Sequence, residues 1–314
     1  MECYRKIRAQ HDVLTICKTP ELAAKITLDA AGELGVDAAI LFADIMLPLE
    51  GMGVSLSIAD GGPQIEDPLR NEDGASRLKK FVPEQHVPYV LDTVERVKSG
   101  LDDKIPLIGF SGAPFTLASY LIEGGPSRDF TETKKMMYKQ PDVWNKVMSS
   151  LTTTVSSYLQ AQVEAGVDAV QVFDSWSGCL SPADYEEFVL PFTKKVFEGL
   201  EATGVPRIHF GVGTAGLLES MKKAGGDVYG VDWRVPIDYA WRVLGQVAIQ
   251  GNLDPAAVLG KWELTEARVI DILNRIGGRP GHIFNLGHGV LPETEPEHLK
   301  RLVKFVQEKA RGRR

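Results

Sequence analysis

Seven short apolar runs, each five or six residues long, punctuate the chain at 38–42, 105–110, 169–173, 207–212, 228–233, 246–250 and 282–286. Between them lie longer amphipathic segments, and this alternation predicts βα units wound around a parallel sheet. Helix boundaries are marked as such units require. Thr19-Pro20 and Ser181-Pro182 read as starts, and Gly35, Gly166 and Gly225 as ends. The peptides Gly35-Val-Asp-Ala and Gly166-Val-Asp-Ala nearly repeat one another, each closing a helix and entering an apolar run. One stretch breaks the rhythm. Val54-Ser-Leu-Ser-Ile58 alternates and is followed by Asp60-Gly61-Gly62, which predicts a hairpin excursion after the first run. No linker or low-complexity stretch divides the sequence, so it reads as one domain over 1–314.

Seven runs fit a doubly wound sheet or a (β/α)8 barrel one strand short, and the residues at the end of each run favour the barrel. Asp44 comes after the first, Ser111-Gly-Ala-Pro114 after the second, Asp174-Ser175 after the third and Gly211-Val-Gly213 after the fourth. Asp232-Trp233, Gly251-Asn252 and Gly287-His288-Gly289 end the rest. In a barrel, small, polar and ionisable residues at these positions would ring one cleft at the C-terminal face. Asp44 is the most demanding of them, because its surroundings, Ala38-Ala-Ile-Leu-Phe-Ala43 and Ile45-Met-Leu-Pro48, are hydrocarbon. A carboxylate there must have a partner, a raised pKa or a cationic ligand. Capping a helix or pairing with a buried arginine would also account for it. Asp174 and Ser175 read equally as loop or N-cap residues, Tyr120 as a core tyrosine, and His288 as a backbone-bonding imidazole between glycines.

Composition narrows the function class. A chain of 314 residues with 44% hydrophobic and 25% charged residues can bury a sizeable core. Its net charge is -7, and its one basic cluster is the terminal Lys309-Ala-Arg-Gly-Arg-Arg314, which disfavours nucleic acid as a partner. The three cysteines, Cys3, Cys17 and Cys179, have no CxxC spacing and fit a reducing cytoplasm. The N-terminus has no apolar signal region, and no apolar run reaches the roughly 18 residues of a membrane span. P-loop, GxSxG and HExxH motifs do not occur, and the expected site is one without cofactor or metal that works with an aspartate, hydroxyls and a histidine.

Leu41-Phe-Ala-Asp44-Ile45, Pro106-Leu-Ile-Gly-Phe-Ser-Gly-Ala-Pro-Phe-Thr-Leu-Ala-Ser-Tyr120-Leu-Ile-Glu-Gly-Gly125, Gln171-Val-Phe-Asp-Ser175, Gln250-Gly-Asn-Leu-Asp-Pro255 and Asn285-Leu-Gly-His288-Gly289 together resemble the uroporphyrinogen decarboxylase family. The resemblance runs in order over essentially the whole chain. It implies a (β/α)8 barrel, a cytoplasmic homodimer, no cofactor, and removal of carbon dioxide from the four acetate side chains of uroporphyrinogen III to give coproporphyrinogen III. Residue by residue it implies that Asp44 stabilises a protonated pyrrole, and that Tyr120, Ser175 and His288 bind substrate. It implies too that Phe42 and Phe173 wall the ring. The family opens with a strand and an arginine-rich segment, PVWxMRQAGRYLP, that precedes the part matched here, so one strand and two carboxylate-binding arginines are expected to be missing. Arg5 and Arg8 are the nearest substitutes in sequence. The competing expectations are a corrinoid-dependent methyltransferase of the same barrel, which would need a His-x-Cys pair where Ile208-His209-Phe210-Gly211 stands, and a tetrapyrrole-binding relative without activity.

Overall fold

The computed structural model describes residues 1–59 and 62–311. Every apolar run contributes a strand to one parallel sheet. The strands are β1 (Ala39–Ile40), β4 (Leu107–Gly112), β5 (Ala169–Asp174), β6 (Arg207–Gly211), β7 (Val228–Val231), β8 (Ala248–Gln250) and β9 (His282–Ile283), in that spatial order. The expected excursion is the antiparallel hairpin β2 (Leu56–Ala59) and β3 (Gly62–Ile65), whose predicted turn residues Asp60 and Gly61 lie outside the described residues.

Helix boundaries follow from local chemistry. Pro20 and Pro182 occupy first helical positions behind Thr19 and Ser181, and the Ser181 side chain accepts the Asp184 N–H. Proline costs nothing there, because that N–H has no intrahelical partner. Gly35 and Gly166 end their helices in the left-handed region, at φ 65° and 117°, where a side chain would be strained. Both then hand the chain directly to a strand, as their near-identical sequences suggest.

Two apolar clusters hold the layers together. One packs the helices Pro20–Leu34, Pro88–Gly100 and Pro141–Ala165 against β4 and β5, with Trp144, Val155 and Tyr158 buried. The other packs Ile237–Leu244, Trp262–Ile276 and Pro296–Arg311 against β7 and β8 through Trp241, Ile249 and Leu299. Along the strands, alternate residues face the barrel interior. Phe110, Phe173 and Phe210 meet edge to face at 5.4 and 5.6 Å between ring centres, and below them Gln250 donates to Gln171 at 3.1 Å. The intervening Gly109 and His209 face the helices.

The outer ring closes, but the strand layer does not. Gln307 near the chain's end donates to the Gly35 carbonyl and to Asp37, each at 3.0 Å, and Lys300 pairs with Glu33 at 3.1 Å. Yet among the described residues β1 pairs only with β4, and β9 only with β8. Ile40 and Ile283, on the two facing edges, are 47% and 43% exposed. The runs at 38–42 and 282–286 therefore shrink to two ladder residues each, since a strand with one neighbour loses half its pairing. The helix Glu2–Arg8 touches both sides of this seam. Tyr4 packs on Phe42 at 5.7 Å, and Arg5 donates to the Pro292 carbonyl at 3.4 Å. No helix among the described residues is long and apolar enough to cross a membrane.

Candidate active site

Asp44 lies four residues beyond β1, where the chain turns toward the helix Leu47–Gly51. Its Oδ1 accepts the Met46 N–H at 2.8 Å, which fixes the side chain against its own turn. No cation lies within ion-pair distance among the described residues, so neither a buried arginine nor a cap of the usual kind explains the residue. Desolvation raises its pKa, and the single bond from Met46 offsets this only in part. A carboxylate in this state gains from any positive charge brought beside it.

Tyr120 stands in the field of Asp44. Burial, reinforced by the Asp44 charge, pushes its phenol up to about 12, so it is a neutral hydrogen-bond donor at any physiological pH. Its ring stacks on Trp176 at 3.9 Å, and Trp176 packs in turn on Phe130 at 4.9 Å. The turn after β5 is pinned by Thr116, whose Oγ1 accepts the Trp176 N–H at 3.4 Å and donates to Asp174 at 3.4 Å. Ser175 is presented, partly exposed, between these anchored neighbours. Asp174 itself is not part of the mouth. It is fully buried between sheet and helices, with His209 Nε2 at 3.9 Å. His209 turns its other nitrogen to the Gly225 carbonyl at 3.2 Å, a strand residue with a structural bond.

The opposite wall comes from β6, β7 and β9. Phe173 and Phe210 form the apolar floor, and His288 lies beside Phe210 at 6.4 Å between ring centres and edge-on to Trp233 at 6.4 Å. Gly287 permits this approach. A Cβ there would sit 2.5 Å from the Trp233 nitrogen. His288 is on the exposed rim, yet its imidazole pKa is lowered, first by loss of water around the ring and then by the charge of Arg234, with Asp232 opposing. It is therefore neutral at neutral pH, able to donate from one nitrogen and accept at the other. Phe42 completes the set on the Asp44 side, its backbone N–H held by Thr27 Oγ1 at 3.0 Å.

Five of the six residues expected from the sequence stand in or just beyond strand C-termini, and Tyr120 lies in the helix Pro114–Glu123 that follows β4; they fall in two groups. Asp44, Tyr120, Phe42 and Ser175 lie on the β1–β5 side, and Phe173 leads across to His288. Trp176 and Arg234 are not expected from the sequence. Sequence reading reached Asp232-Trp233 but not the adjacent arginine, and an aromatic following Ser175 carries no signal of its own. Arg8, considered as a source of positive charge, is spent on the His11 carbonyl at 3.0 Å.

Comparison with known proteins identifies the family. The family model described as "Uroporphyrinogen decarboxylase (URO-D)" matches residues 1–309. A protein of Thermus thermophilus named uroporphyrinogen decarboxylase is 51% identical over 310 residues, covering 98% of this chain and 90% of the relative. Its namesake from Carboxydothermus hydrogenoformans is 50% identical, covering 97% and 88%. Among solved structures, a methyltransferase from Methanosarcina mazei superposes with a TM-score of 0.77 at 20% identity, covering 93% of this chain and 86% of that one. A B12-independent methionine synthase from Shewanella gives 0.64 at 11%, covering 92% and 87%. At such identities these two structures speak for the barrel fold and not for chemistry. The sequence relatives reach further, and the chain belongs to the uroporphyrinogen decarboxylase family.

Proposed function

We propose that this protein decarboxylates the acetate side chains of uroporphyrinogen III to give coproporphyrinogen III, with Asp44 as the residue that stabilises charge in the reaction. The observation that carries this reading is the partly desolvated carboxylate at the barrel mouth, with no cation beside it among the described residues. Breaking the bond between an acetate methylene and its carboxylate leaves an electron pair that needs a sink. A pyrrole protonated on carbon is such a sink, and the positive charge then spreads to the ring nitrogen. Asp44 would sit against that N–H. The arriving cation would restore the ionised form that desolvation disfavours, so the interaction is stronger in the intermediate than with the neutral pyrrole. Carbon dioxide then leaves, its bonding pair passing into the ring to give a neutral exocyclic methylene; protonation of that methylene carbon gives the methyl group, and loss of the proton first added to the ring carbon restores the pyrrole.

In this reading Phe42 and Phe173 flank the macrocycle, while Tyr120, Ser175 and neutral His288 offer hydrogen bonds to its carboxylates. The protein works as a cytoplasmic homodimer without a cofactor, as the family resemblance implies. Support for the substrate is the family itself, together with an apolar floor between two polar walls.

The test is anaerobic incubation of the 314-residue protein with uroporphyrinogen III, beside a form preceded by the family's arginine-rich opening segment, with products separated by carboxylate number. Stepwise loss of carboxylates down to coproporphyrinogen by either form supports the reading. Binding without product in both would support the tetrapyrrole-binding alternative, and neither binding nor product would overturn the decarboxylase assignment.

A further inference from the structure

Behind β7 the chain reads Asp232-Trp233-Arg234, and the three side chains form a built unit on the same wall as His288. Asp232 is completely buried, and its carboxylate is satisfied. Oδ2 accepts the Gly213 N–H at 2.7 Å and Arg234 Nη1 at 2.5 Å, and Oδ1 accepts the Arg234 backbone N–H at 3.1 Å. The guanidinium carbon lies 4.0 Å from the centre of the Trp233 ring. One nitrogen held by a buried carboxylate and one face held on an indole fix a long side chain that would otherwise be free.

The rest of the guanidinium is available. Arg234 is 52% exposed, and among the described residues Asp232 is its only hydrogen-bond partner. Its free edge therefore has donors fixed in a plane, which is the geometry that grips a carboxylate with two parallel bonds. Location matters as much as geometry. Trp233 is shared by Arg234 and His288, and the Arg234 charge is felt at the imidazole, so the two groups serve one rim. A chain of net charge -7 that takes a polyanion needs local cations of this kind. Arg5 and Arg8 are directed to backbone carbonyls instead.

We infer that Arg234 binds a side-chain carboxylate of the substrate beside His288, positioned for it by Asp232 and Trp233. The inference rests on the decarboxylase reading above. Arg234 acts in ligand binding and not in the bond-breaking step.

The experiment is anaerobic equilibrium dialysis of uroporphyrinogen III against the parent chain, Arg234→Met, Arg234→Lys and the double variant Asp232→Asn/Arg234→Met, each also carrying Asp44→Asn to slow consumption of the ligand. Loss of the paired contact should weaken binding about tenfold in Arg234→Met, with lysine recovering part of it and added salt narrowing the gap. The double variant removes the bare Asp232 charge that Arg234→Met leaves behind. If Arg234 touches substrate, the double variant stays weak. Full recovery there would mean that Arg234 merely neutralises Asp232, and would overturn the proposal, as would Arg234→Met binding as tightly as the parent. A parent that binds no uroporphyrinogen either alone or preceded by the family's arginine-rich opening segment would sink the decarboxylase reading, and this inference with it. Circular dichroism of each variant confirms that the fold is retained, which the exposed position of Arg234 favours.

Discussion

Two aspartates at strand ends, Asp44 after β1 and Asp232 after β7, have nearly opposite circumstances. Asp232 is the more deeply buried, yet two backbone N–H groups and a guanidinium satisfy it. Asp44 is less buried, but among the described residues one backbone N–H is its whole support, and its pKa rises. Burial alone therefore does not mark the carboxylate proposed as reactive. The marker is the missing partner. Asp232 holds a wall in shape and aims a cation outward, whereas Asp44 is left with a deficit that a cationic intermediate would fill.

That contrast can be broken first at Asp44. Replacement by asparagine keeps the shape and the Met46 bond but removes the charge, and should lower turnover by about 10²–10³, the cost of losing roughly 3–4 kcal/mol of preorganised stabilisation. Steady-state rates of coproporphyrinogen formation would show it, and a loss under tenfold would mean that the charge matters little. At Asp232 the expected damage is to the fold. Asp232→Ala leaves two backbone N–H groups without their charged acceptor and should cost about 2–4 kcal/mol in denaturant unfolding.

Gly287→Ala probes the contact between the two strand ends. The added methyl meets backbone atoms of Trp233 and Asp232 at 2.5 and 3.1 Å, so the His288 loop must move away. We expect about 1–3 kcal/mol of destabilisation and a rise in KM. The smallest effect has the opposite sign. Because folding raises the Asp44 pKa, the ionised side chain destabilises the native state at neutral pH, and this penalty disappears as pH falls below the unfolded value of 3.8. Asp44→Asn should therefore be more stable than the parent by roughly 0.5–2 kcal/mol at neutral pH, with the advantage vanishing in acid. Thermal melts across pH would reveal it.

The sequence carried most of the architecture because both signals it uses are local. Apolar runs of five or six residues announced all seven strands of the parallel sheet, and Thr19-Pro20, Ser181-Pro182, Gly35 and Gly166 set helix limits through backbone geometry alone. The shortening of β1 and β9 was not legible, because it depends on which strand lies alongside and not on the run itself. The site divides in the same way. Asp44 stood out as a charge inside hydrocarbon, and the motif resemblance supplied Tyr120, Ser175 and His288. Asp174, which also follows an apolar run, faces the helix layer because it falls one residue out of phase with Phe173. Arg234 escaped notice since its role is set by Trp233 beneath it and His288 beside it, a meeting of β7 and β9 that no run of sequence records.

The role proposed for Asp44 depends on its being a carboxylate without a cation until substrate arrives. Its titration tests this most directly, followed by carbon-13 resonance of labelled aspartate carboxyls and assigned by the signal lost in Asp44→Asn. In the free protein the midpoint should lie above the ordinary value of 3.8 and fall when a cationic pyrrole analogue is bound. A midpoint at or below 3.8 in the free protein would reveal a partner already in place and contradict the role assigned to Asp44.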